Sequence, residues 1–488
     1  MNRLLAILCL CLALPAFAWD WWPLPFTTNS PTSNSASGPA SDSEAVYYTG
    51  EFSLLTSTGN QAPTLLYTNT NGNISSLPHS LNLSLGVIKP ATRPTRWFDY
   101  DGAVVLTARA QFPQQYAYST PDQNASVTGY FRELYAHARL YIIDITAGIH
   151  PFYIGAGDPQ LTGGSLLFSN NAHPIPRISI GIDNWTAFPG LFGYFEFKGG
   201  ISHGWLNDNN NFVKGTLFHH KFVGGRIGGK LPVNISYEFH HVAQWGGYSS
   251  RYGDLGNDFA AFMNAFLERE GGTSSNEKLN AQGNHIGFQQ LALDVKGDGW
   301  KVTAYWQYIN EDGPTKIIGF GMNNKDGLWG VNVTQTRWPY ISGFTYEYLH
   351  TTDQSGPFHD RDGCVYGGND NYFNNSIYRQ GWTYYGNIIG SPFLSLDNNR
   401  VSAHFAGVRG DIFGFRYRVI ESIATYYGTY NNPSRTTNTT LLLEVKKRVP
   451  KAWDLEFGFA FSSDFGTRFG TSYGCLFTIT KQGLIKSY

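Results

Sequence analysis

The chain has 488 residues, with 35 Lys and Arg against 36 Asp and Glu, and only 15% are charged; a soluble protein of ordinary composition carries about a quarter. A formal net charge of −1 without any basic stripe excludes a nucleic-acid partner. Aromatic residues reach 16%, yet mean hydropathy is −0.27. No stretch beyond the first residues offers the roughly 20 apolar residues that a membrane helix needs. Aromatic-rich and charge-poor without long apolar runs is the composition of a transmembrane β-barrel, whose strands alternate between lipid and lumen.

In chain order, residues 1–18 read as a signal peptide: Arg3, an apolar run from Leu4 to Leu14, then Ala16-Phe17-Ala18 as a small-residue cleavage site. Residues 19–44 are rich in Ser, Pro, Thr and Asn and read as a flexible leader. Residues 45–488 are then expected to form the barrel.

Four segments show the alternation most clearly. Trp300, Val302, Ala304 and Trp306 alternate with Lys301, Thr303, Tyr305 and Gln307. Phe413, Phe415, Tyr417 and Val419 oppose Arg416 and Arg418. Leu441, Leu443 and Val445 oppose Thr440, Glu444 and Lys446, with Leu442 out of pattern. Trp453, Leu455, Phe457, Phe459 and Phe461 alternate with Asp454, Glu456, Gly458, Ala460 and Ser462. Lys296-Gly297-Asp298-Gly299, Gly410-Asp411 and Arg448–Lys451 read as tight turns. Longer segments alternate with them: 151–175, 244–282, 310–327, 351–399 and 427–437. Short turns on one side and long loops on the other are the habit of outer-membrane barrels, and the spacing predicts about 18 antiparallel strands. Within one loop, Phe259, Phe262, Met263, Phe266 and Leu267 have helical spacing and predict a short loop helix over 254–270, lying on the barrel mouth.

Residues 163–182, GGSLLFSNNAHPIPRISIGI, pass from a polar loop through Pro174 and Pro176 into a strand, with Ile178, Ile180 and Ile182 opposite Arg177, Ser179 and Asp183. Facing away from the lipid are expected Arg109, Arg177, Glu196, His219, Lys221, Glu238, His404, Arg418, Glu444 and others of both signs. Such interleaved charges pair across strands, so the lumen is expected to be filled with side chains and loops rather than open as a wide pore.

Six histidines, His203, His219, His220, His240, His241 and His285, lack Cys/His or helical His spacing, so no metal site and no cofactor is expected. Ser169, Asn171 and His173 crowd one loop without an orienting third group or a G-x-S-x-G elbow, so no catalytic set is assigned. Cys364 and Cys475 are read as unpaired. Glycans present apolar faces and many hydroxyls, and so call for aromatic platforms beside amides and cations. On that ground the candidate glycan contacts are Asn170, Asn171, Arg177, Trp245, Tyr248, Tyr378, Arg379 and Trp382, with Arg251 and Arg361 as further cations.

Several long stretches resemble one family. GGSLLFSNNAHPIPRISIG, FKGGISHGW (197–205), FHHVAQWGG (239–247), GNHIGFQ (283–289), TYEYLHTTD (345–353) and NSIYRQGWTYYGNIIGSPF (375–393) are similar, in order, to the Wzi family of capsule assembly proteins, most closely its Bacteroidetes-type members. The resemblance covers most of the chain after about Tyr130. It implies an outer-membrane barrel and a lectin-like role in attaching capsular polysaccharide to the surface of a Gram-negative cell. It does not extend to the helical segment that precedes the barrel in the enterobacterial form, where this chain has its Ser/Pro-rich leader. The partners expected are capsular or other surface polysaccharide, and outer-membrane lipid with lipopolysaccharide around a monomer. Two other readings stand beside this one: a gated channel for glycans or small solutes, and a barrel hydrolase.

Overall fold

The computed structural model describes residues 45–91, 97–113, 125–206, 208, 212–272, 281–310, 326–354 and 371–487, with the backbone alone of 359–361 and 364–367. The expected signal peptide and leader lie outside the described residues, as do the side chains of Arg361 and Cys364. Cys475 carries a free thiol.

Eighteen long strands form one sheet. The first nine are β1 (Ala45–Ser57), β2 (His79–Lys89), β3 (Phe98–Phe112), β4 (Ser126–Leu140), β5 (Ile143–Ile149), β6 (Arg177–Ala187), β7 (Phe195–Leu206), β8 (Thr216–Ile227) and β9 (Val233–Trp245). The second nine are β10 (Asn284–Gly297), β11 (Trp300–Asn310), β12 (Gly327–Gln335), β13 (Gly343–His350), β14 (Val401–Ile412), β15 (Phe415–Gly428), β16 (Pro433–Val449), β17 (Leu455–Gly466) and β18 (Ser472–Ser487). Each pairs antiparallel with its neighbours in sequence. β1 also pairs with β18, from Ala45 opposite Ser487 to Ser57 opposite Gly474, so the sheet closes. Closure satisfies every edge, which is the condition for crossing hydrocarbon with strands.

Outward residues are apolar and exposed to lipid, as Leu81, Leu83, Leu85 and Val87 are on β2. At the end carrying both chain termini of the sheet, the connections are short. Asp298-Gly299 joins β10 to β11, and Phe413-Gly414 joins β14 to β15, with positive φ at Gly299, Phe413 and Gly414. This rim displays exposed Trp97, Tyr141, Phe192, Trp338, Phe413 and Trp453, an interfacial aromatic belt. The long connections all leave the opposite end, which in this class faces the outside.

Three local expectations need correction. The β14–β15 turn is Phe413-Gly414, not Gly410-Asp411; Gly410 lies in the strand opposite Tyr417, and its glycine is required by close approach, since a Cβ there would stand 2.0 Å from the Tyr340 carbonyl of the adjoining turn. Residues 427–437 are mostly strand, leaving only residues 429–432 as the connection. Trp453 and Asp454 belong to the β16–β17 turn, both with φ of 54°.

The lumen is packed. Residues 150–176 and 371–400 turn back inside and bury Leu161, Leu166, Leu167, Phe168, Tyr372, Phe373, Trp382, Ile389 and Leu394 against inward Phe218, Val242, Ile286, Phe288, Val401 and Phe405. A short helix, α1 (Thr64–Tyr67), joins this core from the β1–β2 loop, its Thr64 N–H and hydroxyl donating to Asp464 at 2.9 and 2.8 Å. Leu442, out of pattern in the sequence, points inward to the same core. An apolar plug calls for an apolar inner wall at its level.

That wall also explains why His219, Lys221 and His404 face outward rather than into the lumen. On β8, Phe218, His220 and Phe222 take the inward positions, and on β14 Val401, Ala403 and Phe405 do. Strand alternation then turns their neighbours out.

The loop helix exists but is shorter than expected. α2 spans Phe259–Leu267, with the Asp258 carboxylate accepting from Ala261 N–H at 2.8 Å as N-cap. It lies on the outer wall of the barrel, neither on its mouth nor in its lumen. Phe262 meets outward Trp245 and His203 with ring centres 5.7 and 6.1 Å apart, and Phe266 meets outward His219 at 4.9 Å.

Candidate glycan-binding face and the filled lumen

The plug is held by polar groups of the wall that point inward. Glu347 on β13 accepts from the Thr162 hydroxyl at 2.7 Å, Gly163 N–H at 2.6 Å and the Tyr305 hydroxyl at 2.5 Å. Gln307 accepts from Leu166 N–H at 3.1 Å, and Gln290 from Ala156 N–H at 2.9 Å. Gly164 adopts φ of +114°, a conformation open to glycine at no steric cost, where the chain bends beneath Pro392. Arg409 reaches the plug's Asp158 at 2.8 Å. Nearer the short-turn end the lumen is charged and paired: Arg418 with Glu444 at 2.9 Å, Arg226 with Glu196 at 2.5 Å and Lys198 with Glu238 at 2.7 Å. Inside, a cavity beside Gly163, Glu347 and Phe393 has about 10 Å³, no more than one water occupies. A cavity of about 560 Å³ bordered by Ile180, Gly200, Ile201 and Val223 is instead a groove in the lipid-facing wall.

Six of the eight candidate contacts are buried. Asn170 and Asn171 lie within the plug; the Asn171 amide donates to the Ile388 carbonyl at 2.9 Å, and the Asn170 carbonyl accepts from Asn71 N–H at 2.5 Å. The Arg177 guanidinium points inward but sits over the Phe152 ring at 3.7 Å; Glu196, the carboxylate that could have held it, is engaged by Arg226. Trp382 fills the plug core, with its indole N–H donating to the Leu167 carbonyl at 2.8 Å. Tyr378 is buried with its hydroxyl donating to the Gly246 carbonyl at 3.1 Å. Trp245 is covered on the outer wall by α2.

Tyr248 and Arg379 are exposed, and the structure brings them to one surface. Tyr248 pairs with Lys214 across a short ladder, and the Arg379 guanidinium lies 4.9 Å above the ring of Phe212, two residues before Lys214. Val213, Leu255, Ile377 and Tyr378 form a small core underneath and hold that surface in place. Arg251 is exposed nearby in sequence, its guanidinium 5.2 Å over Tyr252. Phe212 and Lys214 escaped the sequence reading; an aromatic and a cation inside the Asn-rich run NDNNNFVKG were the available signal.

Ser169, Asn171 and His173 do not assemble as a catalytic set. The Ser169 hydroxyl donates to the Gly390 carbonyl at 2.6 Å and accepts from Asn171 N–H at 3.0 Å. His173 instead meets Tyr130 edge-on, ring centres 4.6 Å apart. Burial, reinforced by Arg109, pulls its imidazole down to about 4; burial and Arg177 do the same for His150 at the start of the plug. Just before β12, beside the other plug segment, burial pushes the Asp326 carboxyl up to about 7, although it accepts from Asp353 N–H at 2.8 Å and the Tyr372 hydroxyl at 3.0 Å.

No curated protein sequence is significantly similar to the chain. Among solved structures, it is similar to Wzi of Escherichia coli, an outer-membrane, carbohydrate-binding β-barrel involved in group 1 capsule assembly, with TM-score 0.53, 15% identity and coverage of 90% of this chain and 84% of that one. OccK7 (OpdD) of Pseudomonas aeruginosa has TM-score 0.47 and 9% identity over 91% of this chain and 99% of its own. OccAB2 of Acinetobacter baumannii has TM-score 0.46 and 11% identity over 92% and 100%. The family model of the capsule assembly protein Wzi matches residues 52–463, which is most of the barrel, and this chain, an outer-membrane β-barrel with its lumen closed by its own loops, belongs to that family.

Proposed function

We propose that this protein binds capsular or related surface polysaccharide at its long-loop face and helps attach and organise the capsule there, as a lectin rather than an enzyme. The observation that carries the reading is an exposed aromatic and cationic face, with Tyr248, Arg379, Phe212 and Lys214, standing on a barrel whose lumen is plugged. Aromatic faces stack on sugar rings, and Lys and Arg suit the carboxylates of acidic glycans. Asn170, Asn171, Arg177, Tyr378 and Trp382 then act beneath that face, as packing and hydrogen-bonding groups that fix its shape, whereas Trp245 anchors α2 on the outer wall. The carbohydrate binding of the Escherichia coli Wzi barrel points the same way.

The outward apolar wall takes outer-membrane lipid and lipopolysaccharide as its solvent, around a monomer. No hydrolytic step is assigned, because the Ser169 hydroxyl is engaged by carbonyls and does not meet His173. The channel reading is the runner-up, and the packed lumen counts against it.

The test is a strain lacking the gene, complemented with the native protein or with the double variant Tyr248→Ala, Arg379→Ala. Native protein restores cell-bound capsule, and the variant leaves polysaccharide shed into the medium. Full restoration by a variant present at normal levels in the outer membrane would remove this face from the function.

A further inference from the structure

Beneath α2, the outer wall carries a cluster of histidines that the glycan reading does not use. His241 on β9 and His285 on β10 both face outward and are buried by the helix and its flanking loop. His241 Nε2 stands 3.0 Å from His285 Nδ1 and 3.1 Å from Oε1 of Glu268, the residue that ends α2. We propose that His241, His285 and Glu268 bind one divalent transition-metal ion, zinc being the closest chemical fit, and that the ion pins α2 to the outer wall of the barrel.

Three independent features support this site. The three donor atoms lie within 4.8 Å of one another. Ligands at about 2.0–2.1 Å around a tetrahedral ion stand about 3.3 Å apart, a spacing that the His241–His285 and His241–Glu268 pairs, at 3.0 and 3.1 Å, already approach. The second feature is tautomeric. His285 Nε2 lies 2.9 Å from the Gln282 carbonyl, which can only accept, so the ring proton sits on Nε2 and Nδ1 offers its lone pair toward His241 and Glu268. A carbonyl behind a ligating imidazole is the usual way a protein orients such a ring and raises its basicity. The third is backbone conformation. Glu268 is a non-glycine residue in the left-handed region, φ 53° and ψ 48°, at the C-cap of α2, and that conformation turns its carboxylate back onto the two imidazoles. A position where glycine is favoured is held instead by a carboxylate that the helix itself does not require.

Two imidazoles and one carboxylate suit zinc and its first-row neighbours rather than calcium or magnesium, which prefer all-oxygen shells. Three protein donors leave one position for water. Among the described residues, the Lys221 ammonium, 4.0 Å from Glu268 Oε1, is a neighbouring cation that opposes a metal here; it also donates to the Phe266 carbonyl. The site does not depend on glycan binding, because it shares no residue with the Tyr248 and Arg379 face.

The experiment uses the full-length mature protein, tag-free, in detergent and stripped by chelator, titrated with cobalt(II) and then zinc(II). One cobalt(II) per chain is expected to give the intense visible bands of a four-coordinate nitrogen–oxygen site, and zinc should displace it. Glu268→Gln and His285→Ala should each weaken binding at least about tenfold, the loss that even outer-shell changes at such sites cause. Lys221→Met should tighten it, and His404→Ala, also on the outer wall, should leave it unchanged. Each variant is checked for heat-modifiable gel migration, which separates lost ligation from lost folding. Absence of saturable binding to the native protein overturns the proposal. So does binding that persists in the folded Glu268→Gln and His285→Ala variants alike.

Discussion

The indole N–H of Trp382 donates to the Leu167 carbonyl at 2.8 Å, and this bond joins two loop segments more than 200 residues apart inside the barrel. Around it Phe168 and Phe218 pack on the same indole, with ring centres 5.5 and 6.0 Å away. The closure of the lumen is therefore a tertiary contact between the β5–β6 and β13–β14 loops, supported by the wall strand β8.

Trp382→Ala removes both the bond and the ring. A buried Trp→Ala change costs about 3–5 kcal/mol where the site cannot collapse. The cost falls on the plug, since the barrel's own ladder is untouched. Planar-bilayer recordings should show a nearly silent native protein and a variant with frequent conducting steps. A stable, large conductance in the native protein would contradict the closed lumen.

Glu347→Gln tests the wall side of the same closure. The carboxylate accepts from three donors, and an amide must turn its own N–H toward at least one of them. Each buried donor left unsatisfied costs about 1–3 kcal/mol. Faster proteolysis within residues 150–176, with strand content by circular dichroism unchanged, is the expected result.

Acid should loosen the plug. The imidazoles of His150 and His173 titrate at about 4 in the folded protein, pulled down mainly by burial, against 6.5 for a free side chain. An unfolded plug segment therefore takes up protons near pH 6.5, while the folded one refuses them until about pH 4. Stability from these groups is fully present above 6.5 and is lost as pH falls toward 4. Protease access to the plug should rise across that window, and the double variant His150→Gln, His173→Gln should flatten the rise. An unchanged profile in the double variant would assign acid sensitivity to other groups.

At the long-loop face, Tyr248→Ala and Arg379→Ala should each reduce polysaccharide binding with little change in melting temperature, because both side chains are exposed. A charge-assisted bond from Arg379 to a sugar acid contributes about 1.5–3 kcal/mol. Trp245→Ala should behave oppositely, lowering the stability of the α2 region while the folded protein still binds. Calorimetry on the purified variants, paired with binding to the isolated polysaccharide, separates the two patterns.

Much of this protein was legible along the chain. Alternation on β11, β15, β16 and β17 follows from a period of two between lipid and lumen, and short turns alternating with long loops led to eighteen strands, the number found. Those signals are local: each strand carries its own two-sided pattern, and each turn its own glycine or proline. What local pattern could not decide is where a long loop goes. Asn170, Asn171, Tyr378 and Trp382 have the composition of a glycan site, but the same amides and rings satisfy buried carbonyls and fill an apolar core when the loop turns inward. His219, Lys221 and His404 were misplaced for a related reason, since polar residues face the lumen only where the lumen is polar. Trp245 stands outward as alternation requires, and only α2, returning from farther along the chain, buries it. His241, His285 and Glu268 share no sequence spacing that signals ligation; adjacent strands and a helix cap bring their donor atoms together. Alternation is set by residues one or two positions apart, whereas loop direction and side-chain convergence depend on contacts made by segments hundreds of residues apart, which exist only once the barrel has closed.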